Sequence, residues 1–100
     1  MEKKHEVILD EETIRIAGLR PIDKTLNATL APHARVFEYA GLENVYIMES
    51  DLYGNPMPKG TVFLAYQGRN GLLGQKIKIE TLRSCNSEDI QNLVNRNHDG

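Results

Sequence analysis

Apolar residues occur along this chain in short runs, each bounded by turn-forming residues. Residues 44–49 and 61–67 are rich in Val, Ile, Tyr and Phe, a composition typical of β-strands. Residues 76–80 alternate charged and apolar side chains with a period of two, as a strand does when one of its faces lies in a core. Residues 68–71 supply a turn between the last two segments, so the pattern predicts a hairpin there.

The first third of the chain also predicts strands. Residues 5–9 and 13–17 are rich in β-branched side chains, and residues 13–16 alternate polar and apolar. Residues 26–30 alternate in the same way. We therefore expect two strands, which could pair as a hairpin, followed by a third.

Residues 32–40 fit a helix better than a strand. Pro32 suits a first helical position, and Gly41 suits the position just past a helix end. As a strand, the segment would mix charged and apolar side chains on both faces. As a helix, it would place three apolar residues on one face: Ala34, Phe37 and Ala40.

The end of the chain predicts a helix that begins at Asn86 or Ser87 and ends near Asn95. Two acidic residues would lie in its first turn, near the positive end of the helix dipole. Its apolar residues form one stripe: Ile90, Leu93 and Val94. Residues 1–4 and 96–100 lack apolar anchors, and we expect them to be flexible tails.

Together these elements predict an α+β fold in one domain that spans residues 1–100. Its centre would be a small, mostly antiparallel β-sheet or open barrel of five to six strands, with a C-terminal helix and a short central helix at 32–40. A chain of 100 residues is long enough to bury a core of its own. Exposed edge strands in so small a sheet would also allow a homodimer.

Composition favours a protein of the cytoplasm. The apolar runs are far shorter than the eighteen or so residues that span a bilayer, so no membrane partner is expected. The first residues lack the apolar stretch of a secretory signal. A single cysteine, Cys85, cannot form an internal disulfide, which fits a reducing compartment.

Catalytic patterns are not evident, and we expect a protein without enzymatic activity, metal or cofactor. The three histidines lack the short spacings that place two metal ligands on one helix face or turn. Cys85 would lie just before the C-terminal helix, where the helix dipole can lower the pKa of a thiol. No histidine is expected near it to serve as a base.

Residues 52–79 contain no acidic residue, although the net charge of the chain is −2. Their basic residues are Lys59, Arg69, Lys76 and Lys78. These could meet phosphates while Tyr53, Phe63 or Tyr66 stacks on bases. Binding of RNA or single-stranded nucleic acid through this hairpin region is the alternative functional prediction.

The connection at residues 50–60 predicts a long, stiff, exposed loop, because it contains two prolines and two glycines. Such loops often present binding residues. We therefore predict a small protein-binding module that acts as an accessory, inhibitor or regulatory factor on another protein. The expected contact residues are apolar anchors within a polar rim: Leu52, Tyr53, Met57, Lys59 and Arg69.

Overall fold

The strands of the protein form one five-stranded antiparallel sheet in the computed structural model, which describes residues 9–22 and 35–98. The strands are β1 (Leu19–Pro21), β2 (Val36–Tyr39), β3 (Val45–Met48), β4 (Thr61–Gly68) and β5 (Gly71–Lys78). Each pairs with the next strand along the chain, which leaves β1 and β5 as the edges of an open sheet. The predicted α+β class is confirmed, as an open sheet of five strands.

The described residues also form three helices: α1 (Glu11–Ala17), α2 (Ile79–Ser84) and α3 (Ser87–His98). Buried residues from the helical regions join those of one sheet face in a single cluster, which we call the main core. The helical contribution includes Leu82, Ile90 and Val94, and all three are at most 6% exposed. The helices therefore cover one face of the sheet.

Residues 13–17 were predicted to form a strand, and that prediction is wrong. They belong to α1, whose first turn is capped by Asp10, because Asp10 Oδ1 accepts a hydrogen bond from the Thr13 amide at 2.9 Å. Gly18 ends the helix in the left-handed conformation, with φ at 71°. These two caps favour a helix more strongly than the short polar–apolar alternation favours a strand.

The central helix predicted for residues 32–40 is also wrong over the part that the structure describes. Residues 36–39 form β2, which pairs with β1 on one side and β3 on the other. Val36, Phe37 and Tyr39 are all buried, so both faces of this strand meet apolar surroundings. A strand buried on both faces shows no clean alternation, and the sequence pattern was misleading for that reason.

The remaining elements match the sequence more closely. Strands β3 and β4 and helix α3 are confirmed, although α3 continues to His98 instead of ending near Asn95. The strand predicted at 76–80 begins earlier, at Gly71, and its last two residues start α2 instead. The strand predicted at 26–30 lies outside the described residues, as does the strand at 5–9 except for Leu9, which is buried beside α1.

The second face of the sheet carries a smaller apolar cluster. Its buried residues are Val36, Met48, Met57, Phe63 and Ala65. Of these, Met57 comes from the connection between β3 and β4, which folds back over the sheet. Within the part of the chain that the structure describes, no helix is both long and apolar enough to cross a membrane.

Candidate functional site

The connection between β3 and β4 is an ordered, narrow hairpin, which we call the 50–60 loop. Its two arms are joined by backbone hydrogen bonds from the Met57 amide to the Glu49 carbonyl, at 3.1 Å, and from the Asp51 amide to the Asn55 carbonyl, at 2.9 Å. Ser50 and Pro56 form a bridge between these two bonds. Residues 52–54 are therefore the tip of the loop.

The side chain of Asp51 fixes the tip. Asp51 Oδ1 accepts hydrogen bonds from the amides of Tyr53 and Asn55, both at 2.9 Å, and Oδ2 accepts one from Asn55 Nδ2 at 3.2 Å. The Gly54 amide donates to the Asp51 carbonyl at 3.1 Å. The hydrogen bond from the Asn55 amide is the largest cause that lowers the pKa of Asp51. The tip is thus held most firmly when this carboxylate is ionised.

The predicted apolar anchors are placed very differently by the structure. Tyr53 is 90% exposed at the tip, and Leu52 is partly buried. Met57 was expected to be exposed, which is wrong, because it is only 6% exposed and packs in the second-face cluster. Of the predicted apolar anchors, Tyr53 is therefore the one that the loop presents to solvent, while Met57 attaches the loop to the sheet.

A buried acid supports the base of the loop. Glu49 is 4% exposed, and its Oε2 accepts a hydrogen bond from the Leu9 amide at 2.8 Å. The same oxygen lies 3.5 Å from Nη1 of Arg35, whose guanidinium sits 5.1 Å from the centroid of the Phe37 ring. The carboxylate of Glu49 is therefore structural. It links Leu9, at the start of the described residues, and Arg35, directly before β2, to the base of the 50–60 loop.

The basic residues predicted to contact phosphates do not form one patch, because Arg69 lies at the end of the β4–β5 hairpin opposite to Lys59 and Lys78. Lys59 is at the loop end of the β4–β5 hairpin, and Arg69 is in the turn at its other end. Eight-residue strands separate these ends by about 25 Å at roughly 3.3 Å per residue. Phe63 and Tyr66 are buried on opposite sheet faces. Of the three aromatic residues considered for stacking on bases, only Tyr53 is exposed.

Cys85 does not have the surroundings of a reactive thiol. It is partly buried at the end of α2, and burial raises the pKa of its thiol, with a further rise from the carboxylate of Asp89. Asn86 and Asp89 exchange hydrogen bonds, with each backbone amide donating to the other side chain, so α3 begins with its own cap.

The rest of the surface formed by the described residues shows no cluster of groups that could act together in catalysis or metal binding. Across residues 9–22 and 35–98, no three His, Cys, Asp or Glu side chains are grouped as they would be around a metal ion. A cleft of about 360 Å³ lies beside the turn between β2 and β3, at the end of β3 away from the 50–60 loop. Its charged residues include the ion pair Arg20–Glu38, which is solvent-exposed.

The sequence prediction did not identify Asp51 and Asn55 as residues that fix the loop. A signal for them is present, because an Asp followed at a short distance by Gly-Asn is a frequent turn pattern. This pattern does not reveal that both carboxylate oxygens of Asp51 accept hydrogen bonds.

Comparisons of the chain with protein-family models, with curated protein sequences and with solved structures find no match.

Proposed function

We propose that this chain is a small, non-enzymatic protein-binding module that acts as an accessory, inhibitor or regulatory factor. Its contact surface is the tip of the 50–60 loop, with Tyr53 as the central anchor. Leu52 lies beside this anchor, and Lys59 contributes to a polar rim. The partner is another protein, and its binding takes place in the cytoplasm, in keeping with the single unpaired cysteine.

One observation carries this proposal: an almost fully exposed tyrosine sits on a backbone that is already fixed. Tyrosine is enriched at the centres of protein interfaces, because it brings a large contact area with few rotatable bonds. Asp51 and the paired arms of the loop hold the tip in one conformation. Less conformational entropy is then lost on binding than with a disordered loop.

Affinity capture from the lysate of the native host tests the proposal. The bait proteins are the wild type, Tyr53→Ala and Ile16→Ala, each used with and without nuclease. Ile16 is a matched control, because it is another exposed apolar side chain, 44% exposed, on helix α1. We expect a discrete protein that is retained by wild type and Ile16→Ala after nuclease treatment and is lost with Tyr53→Ala.

Retention of the same protein by Tyr53→Ala would overturn the proposal. Recovery of nucleic acid, together with proteins that disappear on digestion, would instead favour the alternative that uses Lys59, Arg69, Lys76 and Lys78.

The dependence of affinity on salt concentration distinguishes the two kinds of interaction further. Affinity for phosphates falls steeply as the salt concentration rises, whereas an interface centred on Tyr53 is much less sensitive.

A further inference from the structure

Strand β5 is a long edge strand whose outer side has no partner strand among the residues that the structure describes. On its inner side, all eight residues from Gly71 to Lys78 are paired with β4. An edge strand of this length offers a row of free amide and carbonyl groups. An extended peptide can add to such a row as a further strand.

The hydrogen-bond pattern fixes which groups of β5 face outward. The Ile79 amide donates inward to the Gly60 carbonyl at 2.9 Å, and the Gln67 amide points away from β5, to the Asn44 carbonyl at 3.3 Å. Inward and outward groups alternate along an antiparallel strand, so the odd-numbered residues of β5 bond to β4. The outward groups belong to the even-numbered residues: Leu72, Gly74, Lys76 and Lys78.

The opposite edge of the sheet is far less suited to strand addition. Strand β1 has three residues, Leu19–Pro21. The Ala40 amide donates to the Gly18 carbonyl, and the Ile22 amide donates to the Val36 carbonyl, so the outward positions of β1 are Leu19 and Pro21. Proline has no amide hydrogen to donate. The edge formed by β5 is therefore the receptive one.

The side chains of β5 indicate what kind of strand would fit. On the helical face of the sheet, Leu73 is 41% exposed. On the other face, Lys76 and Lys78 are exposed, and neither forms an ion pair in the part of the chain that the structure describes. An added strand would place alternate side chains beside Leu73 and beside the lysines. Alternating apolar and acidic residues would match both faces.

We propose that the edge of β5 binds, by strand addition, an extended segment of a partner protein in which acidic and apolar residues alternate. A second copy of this chain is disfavoured as the occupant, because self-pairing of β5 would bring the lysines of two chains together. This surface is distinct from the tip of the 50–60 loop.

Titration with synthetic peptides tests this inference on the intact chain. The probe is a fluorescent peptide of alternating Glu and Val, and its binding is measured by anisotropy and by the amide signals of β5 in NMR spectra. A peptide of the same length with alternating Lys and Val tests charge. A peptide of the same sequence in which every backbone amide is N-methylated keeps the acids but cannot donate strand hydrogen bonds.

We expect the Glu-Val peptide to bind and both control peptides to fail. The outward amides of Leu72, Gly74, Lys76 and Lys78 should become protected from solvent exchange. The double variant Lys76→Glu/Lys78→Glu should weaken binding at least roughly tenfold and favour the Lys-Val peptide, whereas Tyr53→Ala should leave the affinity unchanged. This last result separates the inference from the function proposed for the loop.

Three results would overturn the inference. The first is equal binding of the N-methylated acidic peptide, which would show charge attraction without strand addition. The second is a free protein that is already dimeric through β5, as shown by sedimentation and by protection of its outward amides. The third is no binding of the Glu-Val peptide by a wild-type protein whose NMR spectrum shows that it is folded.

Discussion

The ring of Phe63 on β4 lies directly over the backbone of Gly74 on β5. A Cβ atom added at Gly74 would overlap the edge of this ring and would come within 2.6 Å of the Leu64 carbonyl oxygen. We expect Gly74→Ala to destabilise the protein by about 1–3 kcal/mol, because the ring and the strand must shift to accept a methyl group. Chemical denaturation followed by circular dichroism measures the change.

A double variant separates the two contacts at Gly74. Phe63→Leu removes the ring but not the Leu64 carbonyl, so Phe63→Leu/Gly74→Ala should lose less stability than the sum of the single variants. Lys76→Ala, an exposed change on the same strand, should alter stability by no more than about 0.5 kcal/mol. Simple additivity of the two single variants would contradict the packing described here.

Alanine substitutions at two positions of the 50–60 loop, Met57 and Tyr53, should change the stability of the protein by very different amounts. Met57→Ala removes a side chain that is 6% exposed, and we expect a loss of about 2–5 kcal/mol in the free energy of unfolding. Tyr53→Ala removes a side chain that is 90% exposed, and stability should change by no more than about 0.5 kcal/mol. Urea denaturation of both variants makes the comparison, and equal losses would contradict the assigned roles.

Replacing Glu49 should destabilise the protein more than replacing Glu38, an acid on β2 that also pairs with an arginine. Glu49→Ala leaves the buried Leu9 amide without its acceptor and Arg35 without its partner, and we expect a loss of about 1–3 kcal/mol. Glu38 pairs with Arg20 at 3.1 Å in solvent, so Glu38→Ala should cost about 0–1 kcal/mol. Thermal and chemical unfolding of both variants can rank them, and a larger loss for Glu38→Ala would be inconsistent with the structure.

The conformation of the loop tip should depend on pH through Asp51. Hydrogen bonds from Asn55 lower the pKa of this carboxyl in the folded protein, so the folded state binds its proton less readily than the unfolded chain. Its stabilising effect is therefore present above the ordinary pKa of aspartate and is lost as the pH falls through the lowered value. The amide proton shifts of Tyr53 and Asn55 in an NMR titration should follow this change.

The variant Asp51→Asn is the control for that titration. An amide side chain does not titrate in this range, so the transition of the Tyr53 and Asn55 amides should disappear. If the wild-type transition has its midpoint at or above the ordinary aspartate value, the hydrogen-bonded arrangement of the tip is not the one present in solution.

The thiol of Cys85 should react slowly. Burial and the Asp89 carboxylate raise its pKa, so less thiolate is present at neutral pH than in a free cysteine. We expect reaction with an aromatic disulfide reagent to be slower than that of free cysteine. Asp89→Asn should accelerate it, because the repulsive charge is removed while an acceptor for the helix cap remains. A thiol faster than free cysteine would reopen the possibility of catalysis.

The sequence was a good guide where the pattern of side chains matched a single buried face or a clear cap. Helix α3 has acidic residues in its first turn and an apolar stripe, and both signals were readable. Strands β3 and β4 are rich in β-branched and aromatic residues. Their identification required no knowledge of the tertiary structure.

The errors occurred where tertiary packing decides between two local patterns. The alternation of Thr13 and Ile14 indicated a strand, but Thr13 is buried in a helix, where its hydroxyl accepts a hydrogen bond from Arg83 at 3.3 Å. Contact with a residue seventy positions away cannot be read from a short window. For the same reason the sequence showed Met57 in a polar loop but not the apolar cluster that buries it.

The order of strands along the sheet has a consequence for how the chain assembles. Every strand pairs with its neighbour in sequence, so the sheet can grow as a series of local hairpins. Helix α1 contacts the adjacent strand β1 but also α2, far along the chain, as Thr13 does through Arg83. During synthesis α1 is the first of the described helices to leave the ribosome. It can dock against α2 only after Arg83 has also emerged.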